Sequence, residues 1–216
     1  MAHIAVLGLG NWGTAIARLW LLEGHKVTGW TIEQEVYESI TMSETNEKYL
    51  PNHPVPGLDA TMHLSEAVEG AEIVVLAVPS SVILDVMEDV LPHLQPGHVL
   101  LDLAKGLAPG KRLISEAIHT RLKEEGKTNP LAVLTGPTIA PEAAGGVMTT
   151  ALVASEDQAI AQRLAQTLST PSFILHPASD PVGAELWGAY KNVVALACGL
   201  VDGLKQVGDL GGDNLS

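Results

Sequence analysis

The run Gly8-Leu9-Gly10-Asn11-Trp12-Gly13 constrains this chain more than any other stretch. Ile4 to Leu7 before it read as a buried strand and Thr14 to Leu22 after it as a helix, so three glycines fall in a strand-to-helix turn. Gly8 permits the tight turn, Gly10 lets an anion approach the backbone, and Gly13 lets the helix pack closely on the strand. The orphan amides and positive dipole end of that helix would face a pyrophosphate. Isolated glycine patterns occur in ordinary turns, but here a second strand follows at Lys26 to Trp30, which is the context that marks a dinucleotide-binding fingerprint.

The 216 residues suffice for one domain and the beginning of another. A formal net charge of -13 without a basic run argues against binding nucleic acid or an anionic membrane, and it suits a soluble cytoplasmic protein. Cys198 is the only cysteine, so no intrachain disulfide forms and a reducing compartment is the simpler inference. Its apolar surroundings in sequence predict a buried structural thiol, not a nucleophile. The N-terminus enters a strand at once, with no cationic leader before an apolar segment. Leu186 to Leu204 carries Lys191, Asn192 and Asp202, so no membrane span is expected and the stretch reads as a buried helix.

Along the chain, helical segments are expected over Glu35 to Met42, Glu66 to Gly70, Val82 to Val90, Leu113 to Glu125 and Gln158 to Leu168. They alternate with apolar strands over Ala60 to Leu64, Glu72 to Val78, His98 to Leu103, Leu131 to Thr135, Ala151 to Ala154 and Ser172 to Leu175. Three prolines between Pro51 and Pro56 exclude a helix there and indicate an ordered surface excursion from Asn46 to Gly57. The alternation predicts an α/β class: a doubly wound, Rossmann-type parallel sheet over residues 1–180, followed by the start of a helical second domain over 181–216.

In an open parallel sheet, ligands bind beyond the carboxyl ends of the strands. The segments that follow the strands are therefore the candidate site. Glu33, just past the second strand, is the nearest carboxylate for an adenosine ribose; the alternative is an acidic residue favoured by a helix dipole. No arginine at Thr31 or Ile32 awaits a 2′-phosphate, which leans toward NAD over NADP. Val78 and Val82 offer an apolar wall. Lys105 follows a strand beside Gly106 and would project over the crevice toward an anionic or carbonyl substrate, or else it is a surface loop lysine. Lys191 and Asn192 interrupt an apolar helix and need partners or a use. Burial would draw the Lys191 ammonium down toward neutrality, where it can give and take a proton as a carbonyl is reduced; the alternative is a lysine snorkelling to water. The histidines form no metal set, and His93 and His98 read as solvated residues flanking a turn.

Taken in order, Gly8 to Ala15, Asn46 with Tyr49-Leu50-Pro51, Val78-Pro79-Ser80, Lys105-Gly106-Leu107, Gly136 to Glu142, Lys191-Asn192-Val193 and Val201 to Leu204 resemble the motifs of the NAD(P)-dependent sn-glycerol-3-phosphate dehydrogenases. The resemblance implies an oxidoreductase interconverting dihydroxyacetone phosphate and sn-glycerol 3-phosphate, at the entrance to phospholipid synthesis. It implies cofactor contacts at Asn11, Trp12, Ile32 and Ala140. Substrate contacts are implied at Lys105, Gly136 and Thr138, with Lys105 also near the nicotinamide. Lys191 is implied as the catalytic proton acceptor for alcohol oxidation, with Asn192 beside it. Family members continue as a helical domain that carries a catalytic aspartate and an Arg-Asn pair. Here the family's short glycine link is stretched over Gly203 to Asn214, and Asp213 does not match that aspartate. The competing expectations are a non-catalytic dinucleotide-binding remnant and a related dehydrogenase of another small acid. The last helix is expected to expose an apolar face that drives homodimerisation or other self-association.

Overall fold

Each central strand is a short, buried and mainly aliphatic run, which only a sheet covered on both faces accommodates. The computed structural model describes residues 1–207 and opens with β1 (His3–Leu7), α1 (Asn11–Leu22) and β2 (Lys26–Trp30). β1 pairs in parallel with β2 on one side, in the register Ile4 to Val27, and with β4 (Ile73–Leu76) on the other. The remaining elements are α2 (Gln34–Ser43), β3 (Asp59–Thr61), α3 (Leu64–Val68), α4 (Ile83–Val90), β5 (Val99–Asp102), α5 (Ile114–Glu124), β6 (Leu131–Thr135), α6 (Ala140–Ala144), β7 (Thr149–Ala154), α7 (Gln158–Leu168), β8 (Phe173–Ala178) and α8 (Pro181–Val207).

The eight strands lie in the order β3-β2-β1-β4-β5-β6-β7-β8. Strand order reverses between β1 and β4, so the crevice that receives ligands in such sheets opens over the glycine turn. Two apolar layers cover the sheet. One joins Ile4, Val6, Ile16, Trp20 and Phe173, and the other joins Leu7, Leu76, Ile83, Met87 and Ile118. Trp20 is fully buried and its indole N–H donates to the Leu168 carbonyl at 3.1 Å, which satisfies its one polar atom.

The parallel sheet expected from the sequence holds from β3 to β6, but β7 runs antiparallel to β6 before β8 again lies parallel to β7. The cause is α6. It does not cross a sheet face; Ala140 and Ala144 pack on Ala15 and Leu50 at the carboxyl edge, so the chain re-enters the sheet from the edge it left. The pattern of β7 changes accordingly: Thr149, Ala151 and Val153 are buried while Thr150 and Leu152 face outward. β8 also extends past the expected break, to Ala178. Pro177 fits because β8 is an edge strand whose outer side needs no donor. Leu64, expected in a strand, begins α3.

Asp180 caps α8 by accepting the Gly183 N–H at 2.8 Å, and Pro181 takes the first helical position, where its missing donor is harmless. The expectation of a buried helix fails here. Ala184, Glu185 and Gly188 are buried, whereas Leu186, Trp187, Tyr190, Val193, Val194, Leu196 and Leu200 are exposed. Cys198 is likewise exposed, because nothing among the described residues packs on that part of the helix. His98 departs the other way. It is 2% exposed, its Nδ1 accepts the Gln95 N–H at 3.1 Å, and burial holds its ring below the usual histidine range, with Lys127 adding to the effect. No helix among the described residues is long and apolar enough to cross a membrane. Gly208 to Asn214, including Asp213, lie outside the described residues.

Candidate functional site

The turn between β1 and α1 is built on contacts that exclude side chains. Gly8 adopts φ +110, and a Cβ there would lie 2.7 Å from the Ala77 carbonyl oxygen. A Cβ on Gly13 would lie within 1.9 Å of the Gly8 oxygen, so helix and strand touch through bare backbone. A Cβ on Gly10 would meet nothing within 4 Å, so that backbone borders open space. α1 starts at Asn11, three residues before the sequence suggests, and no side chain caps it. Free amides, a helix of twelve residues and an open approach over Gly10 fit a dinucleotide pyrophosphate.

Sequence reasoning picked out Asn46 as the start of the excursion but not as the residue that fixes this turn. Asn46 is fully buried; its Nδ2 donates to the Leu9 carbonyl and to Thr14 Oγ1, each at 2.8 Å, and its Oδ1 accepts the Tyr49 N–H. Thr14 Oγ1 in turn donates to Leu9 at 3.1 Å. The excursion from Asn46 to Gly57 is thus fastened to the glycine turn. Arg18 of α1 ties it further, donating to the carbonyls of Pro54 and Ala144. An asparagine just ahead of a proline-rich excursion was the available signal.

Past β2, Ile32 is 73% exposed and Glu33 heads α2. The Glu33 carboxylate is engaged: it accepts the Tyr49 hydroxyl at 2.8 Å and the Lys48 ammonium at 2.5 Å. Lys48, and then Tyr49, hold it below the usual carboxylate range. Val82 stands half-exposed at the head of α4, with Val78 buried behind it. Ala140 is buried at the start of α6 against α1.

The two lysines expected to carry chemistry meet at the carboxyl ends of β5 and β6. Lys105 Nζ donates to Thr138 Oγ1 at 3.2 Å and stands 5.8 Å from the centre of the Trp12 ring. Trp12 itself packs edge-on against Phe173 at 6.0 Å. Lys191 reaches from α8 to donate to the Gly136 carbonyl at 3.3 Å. Lys105 is drawn down from the usual lysine range. Much of that residue keeps its solvent, but its charged end is crowded; the water lost there, and then the neighbouring Lys191, draw it down to about 8. Asn192 is exposed and joins neither lysine.

How α8 delivers Lys191 is visible in its buried residues. Glu185, 3% exposed, accepts the Ser115 hydroxyl at 2.5 Å and the amides of Ile114 and Ser115 at the head of α5. One turn later, a Cβ on Gly188 would lie 2.5 Å from Thr135 Oγ1, so the helix backbone presses on the end of β6. Beneath Lys191 a groove of about 710 Å³ opens among Thr135, Pro137, Leu152, His176 and Trp187. Next to Glu185 lies the fully buried Asp102, whose Oδ1 accepts the Ala104 N–H at 2.8 Å and whose Oδ2 has no partner. Burial, with Glu185 adding, pushes its carboxyl up to about 8. No cluster of histidine, cysteine and carboxylate suited to a metal occurs among the described residues.

Comparison with known proteins agrees with this geometry. Residues 3–161 match the family model of the NAD-dependent glycerol-3-phosphate dehydrogenase N-terminus, and residues 180–215 match that of its C-terminus. A curated glycerol-3-phosphate dehydrogenase [NAD(P)+] of Rhodospirillum rubrum is 41% identical over 94% of this chain and 57% of its own length. The Fusobacterium nucleatum relative of the same name is 35% identical over 99% of this chain and 62% of its own. The crystal structure of glycerol-3-phosphate dehydrogenase from Coxiella burnetii superposes with a TM-score of 0.86 at 34% identity, covering 95% of this chain and 62% of that one. The chain therefore spans about three-fifths of the length of the relatives it matches.

Proposed function

Because the chain belongs to the NAD-dependent glycerol-3-phosphate dehydrogenase family, whose N-terminal model accounts for residues 3–161, we propose that it takes part in the reversible reduction of dihydroxyacetone phosphate to sn-glycerol 3-phosphate. The observation that carries this reading is the convergence of Lys105 and Lys191 on Thr138 and Gly136, at the same sheet edge as the glycine turn. In the proposed division of roles, Gly8, Gly10, Asn11, Trp12 and Gly13 hold the dinucleotide, with Ile32, Glu33, Val82 and Ala140 along its length. A bound NADH or NADPH supplies hydride to the carbonyl carbon. Lys191 delivers a proton to the carbonyl oxygen and takes one back from the alcohol in the reverse direction. Lys105 and the Thr138 hydroxyl orient the oxygen-bearing end of the substrate and offset its negative charge. Lys191 stands on a helix whose Gly188 presses on Thr135, and it donates to the Gly136 carbonyl, which suits precise placement.

On this reading residues 1–180 form the cofactor domain and 181–216 begin the helical domain, in a cytoplasmic protein. The apolar stripe of α8, from Leu186 to Leu200, serves self-association of copies. The test is NADH oxidation with dihydroxyacetone phosphate, with Lys191→Ala as control and NADH binding followed by fluorescence in the same samples. Turnover abolished in the variant supports the assignment. Binding without turnover leaves a dinucleotide-binding chain that does not catalyse by itself, and no binding refutes both.

A further inference from the structure

Lys105 and Lys191 bring two amines to one edge of the sheet, and neither joins an ion pair among the described residues. The carboxylate nearest to Lys105 in sequence, Asp102, is fully buried and takes the Ala104 N–H. The backbone fixes where Lys105 stands. Gly106 adopts φ +130, and a Cβ there would lie 3.0 Å from the Ser80 hydroxyl oxygen, so the chain turns sharply just past the lysine. Thr138 Oγ1 accepts one of its N–H groups at 3.2 Å, and the centre of the Trp12 ring lies 5.8 Å away. Beyond these contacts the side chain is open to solvent. A lysine crowded by a second lysine, with water excluded from its charged end and no counter-charge beside it, is the arrangement that turns an ammonium into a nucleophile.

We propose that Lys105 is a carbonyl-reactive amine that forms an imine with small phosphate-bearing aldehydes and ketones. The class of carbonyl compound rests on the dehydrogenase reading; the reaction itself is covalent and separate from hydride transfer. The lone pair of neutral Lys105 Nζ adds to the carbonyl carbon while the oxygen takes a proton from Lys191. The carbinolamine nitrogen then gives up its two hydrogens by way of Lys191, the C–O bond breaks, and the oxygen leaves as water. Amine and carbonyl thus become imine and water, with nothing oxidised or reduced. Lys191 is charged again once the transfers are complete, which favours a carbonyl compound that carries phosphate. With Lys105 drawn down to about 8, about 10% of it is neutral at pH 7, against about 0.04% of an ordinary lysine. A weaker base is a weaker nucleophile, and a Brønsted slope of about 0.4–0.5, as for thiolates, takes back about tenfold of that lead. More than tenfold remains.

The test incubates the whole chain, without dinucleotide, with glyceraldehyde 3-phosphate or dihydroxyacetone phosphate and sodium cyanoborohydride, and follows adducts by mass spectrometry and peptide mapping. Lys105 is expected to gain one triose phosphate less one oxygen about tenfold or more faster than any other lysine of the chain, at a rate that rises with pH and levels off above about 8. Glyceraldehyde without its phosphate should react several-fold more slowly at the same position. The groups that face Lys105 are Lys191, Thr138 and Trp12, so Lys191→Gln, which removes the neighbouring charge, should slow capture several-fold and move the midpoint of the pH profile upward. Even labelling across the lysines, capture at Lys191 in place of Lys105, equal rates with and without the phosphate, or a rate at Lys105 that ignores the Lys191 substitution would each overturn the proposal. Should Lys191→Gln fail to fold, the site selectivity and pH profile of the unmodified chain decide alone. Selective capture in a chain without NADH turnover supports the reactive amine while the dehydrogenase reading fails; turnover without selective capture overturns the reactive amine alone.

Discussion

Replacing Asp102 with asparagine tests whether the fold keeps this carboxyl neutral. Asp102 is 0% exposed, and one of its oxygens has no hydrogen-bond partner. Burial raises it to about 8, against about 3.9 for an aspartate in an unfolded chain. Between those two values the folded protein holds a proton that the unfolded chain has released, so stability declines as pH rises through the window and levels off above about 8. At neutral pH the gap is about three pKa units, or about 4 kcal/mol at 1.36 kcal/mol per unit; relaxation of the interior reduces this to about 2–4 kcal/mol. Asparagine keeps the oxygen that accepts from Ala104 but leaves two N–H donors unpaired where the protonated acid leaves one O–H, which offsets part of the gain. Asp102→Asn should therefore be more stable at neutral pH by about 1–2 kcal/mol, raising Tm by about 2–8 °C in a chain of this size. Urea denaturation of both proteins at several pH values above the isoelectric point of about 4.9 measures the difference. The advantage must shrink as pH falls, by up to about 1.4 kcal/mol per pH unit. A difference that stays constant with pH, or a less stable variant at neutral pH, would refute the reasoning.

Gly13→Ala should abolish dinucleotide binding and destabilise the chain by roughly 3 kcal/mol or more, because the new Cβ would lie 1.9 Å from the Gly8 oxygen; calorimetric titration and thermal melts read both effects. Glu185→Ala should free α8 from α5 by leaving the amides of Ile114 and Ser115 and the Ser115 hydroxyl unpaired, at about 2–4 kcal/mol. Hydrogen exchange should then quicken at both helix starts while β1 and β4 stay protected. Affinity for a phosphate-bearing substrate should fall as pH rises through about 8, where Lys105 loses its proton, and Lys105→Arg, which stays charged, should remove that dependence. Substrate titrations on either side of that pH check it.

Strand and helix positions were legible because buried strands are continuous apolar runs; β2, β6 and α7 match their expected limits residue for residue. What sequence periodicity does not encode is direction. Nothing in Thr149 to Ala154 says which way the strand runs, and the reversal follows from where the five residues of α6 settle. The glycine turn and Lys105 were legible as positions after strands, and Lys191 as a cation interrupting an apolar helix. That Lys105 loses its proton more readily than an ordinary lysine was not, because that depends on the water excluded around its charged end and on the approach of Lys191 from a segment remote in sequence. The roles of Asn46 and Glu185 were hidden for a related reason: a buried polar residue looks like any other until the backbone groups it satisfies are brought to it. The exposure of Cys198 and of much of α8 was hidden because apolar composition specifies a face that seeks a partner, not whether one is present.

The two ends of the sheet differ in kind from its middle. One ends in β3, only three residues long, and the other in β8, where Pro177 removes a backbone donor. Neither offers an unbroken ladder onto which a further chain could zip, which is how natural sheets avoid templating cross-β aggregates. Neither sheet edge therefore recruits further strands, so concentrating the protein should leave its far-ultraviolet circular dichroism unchanged.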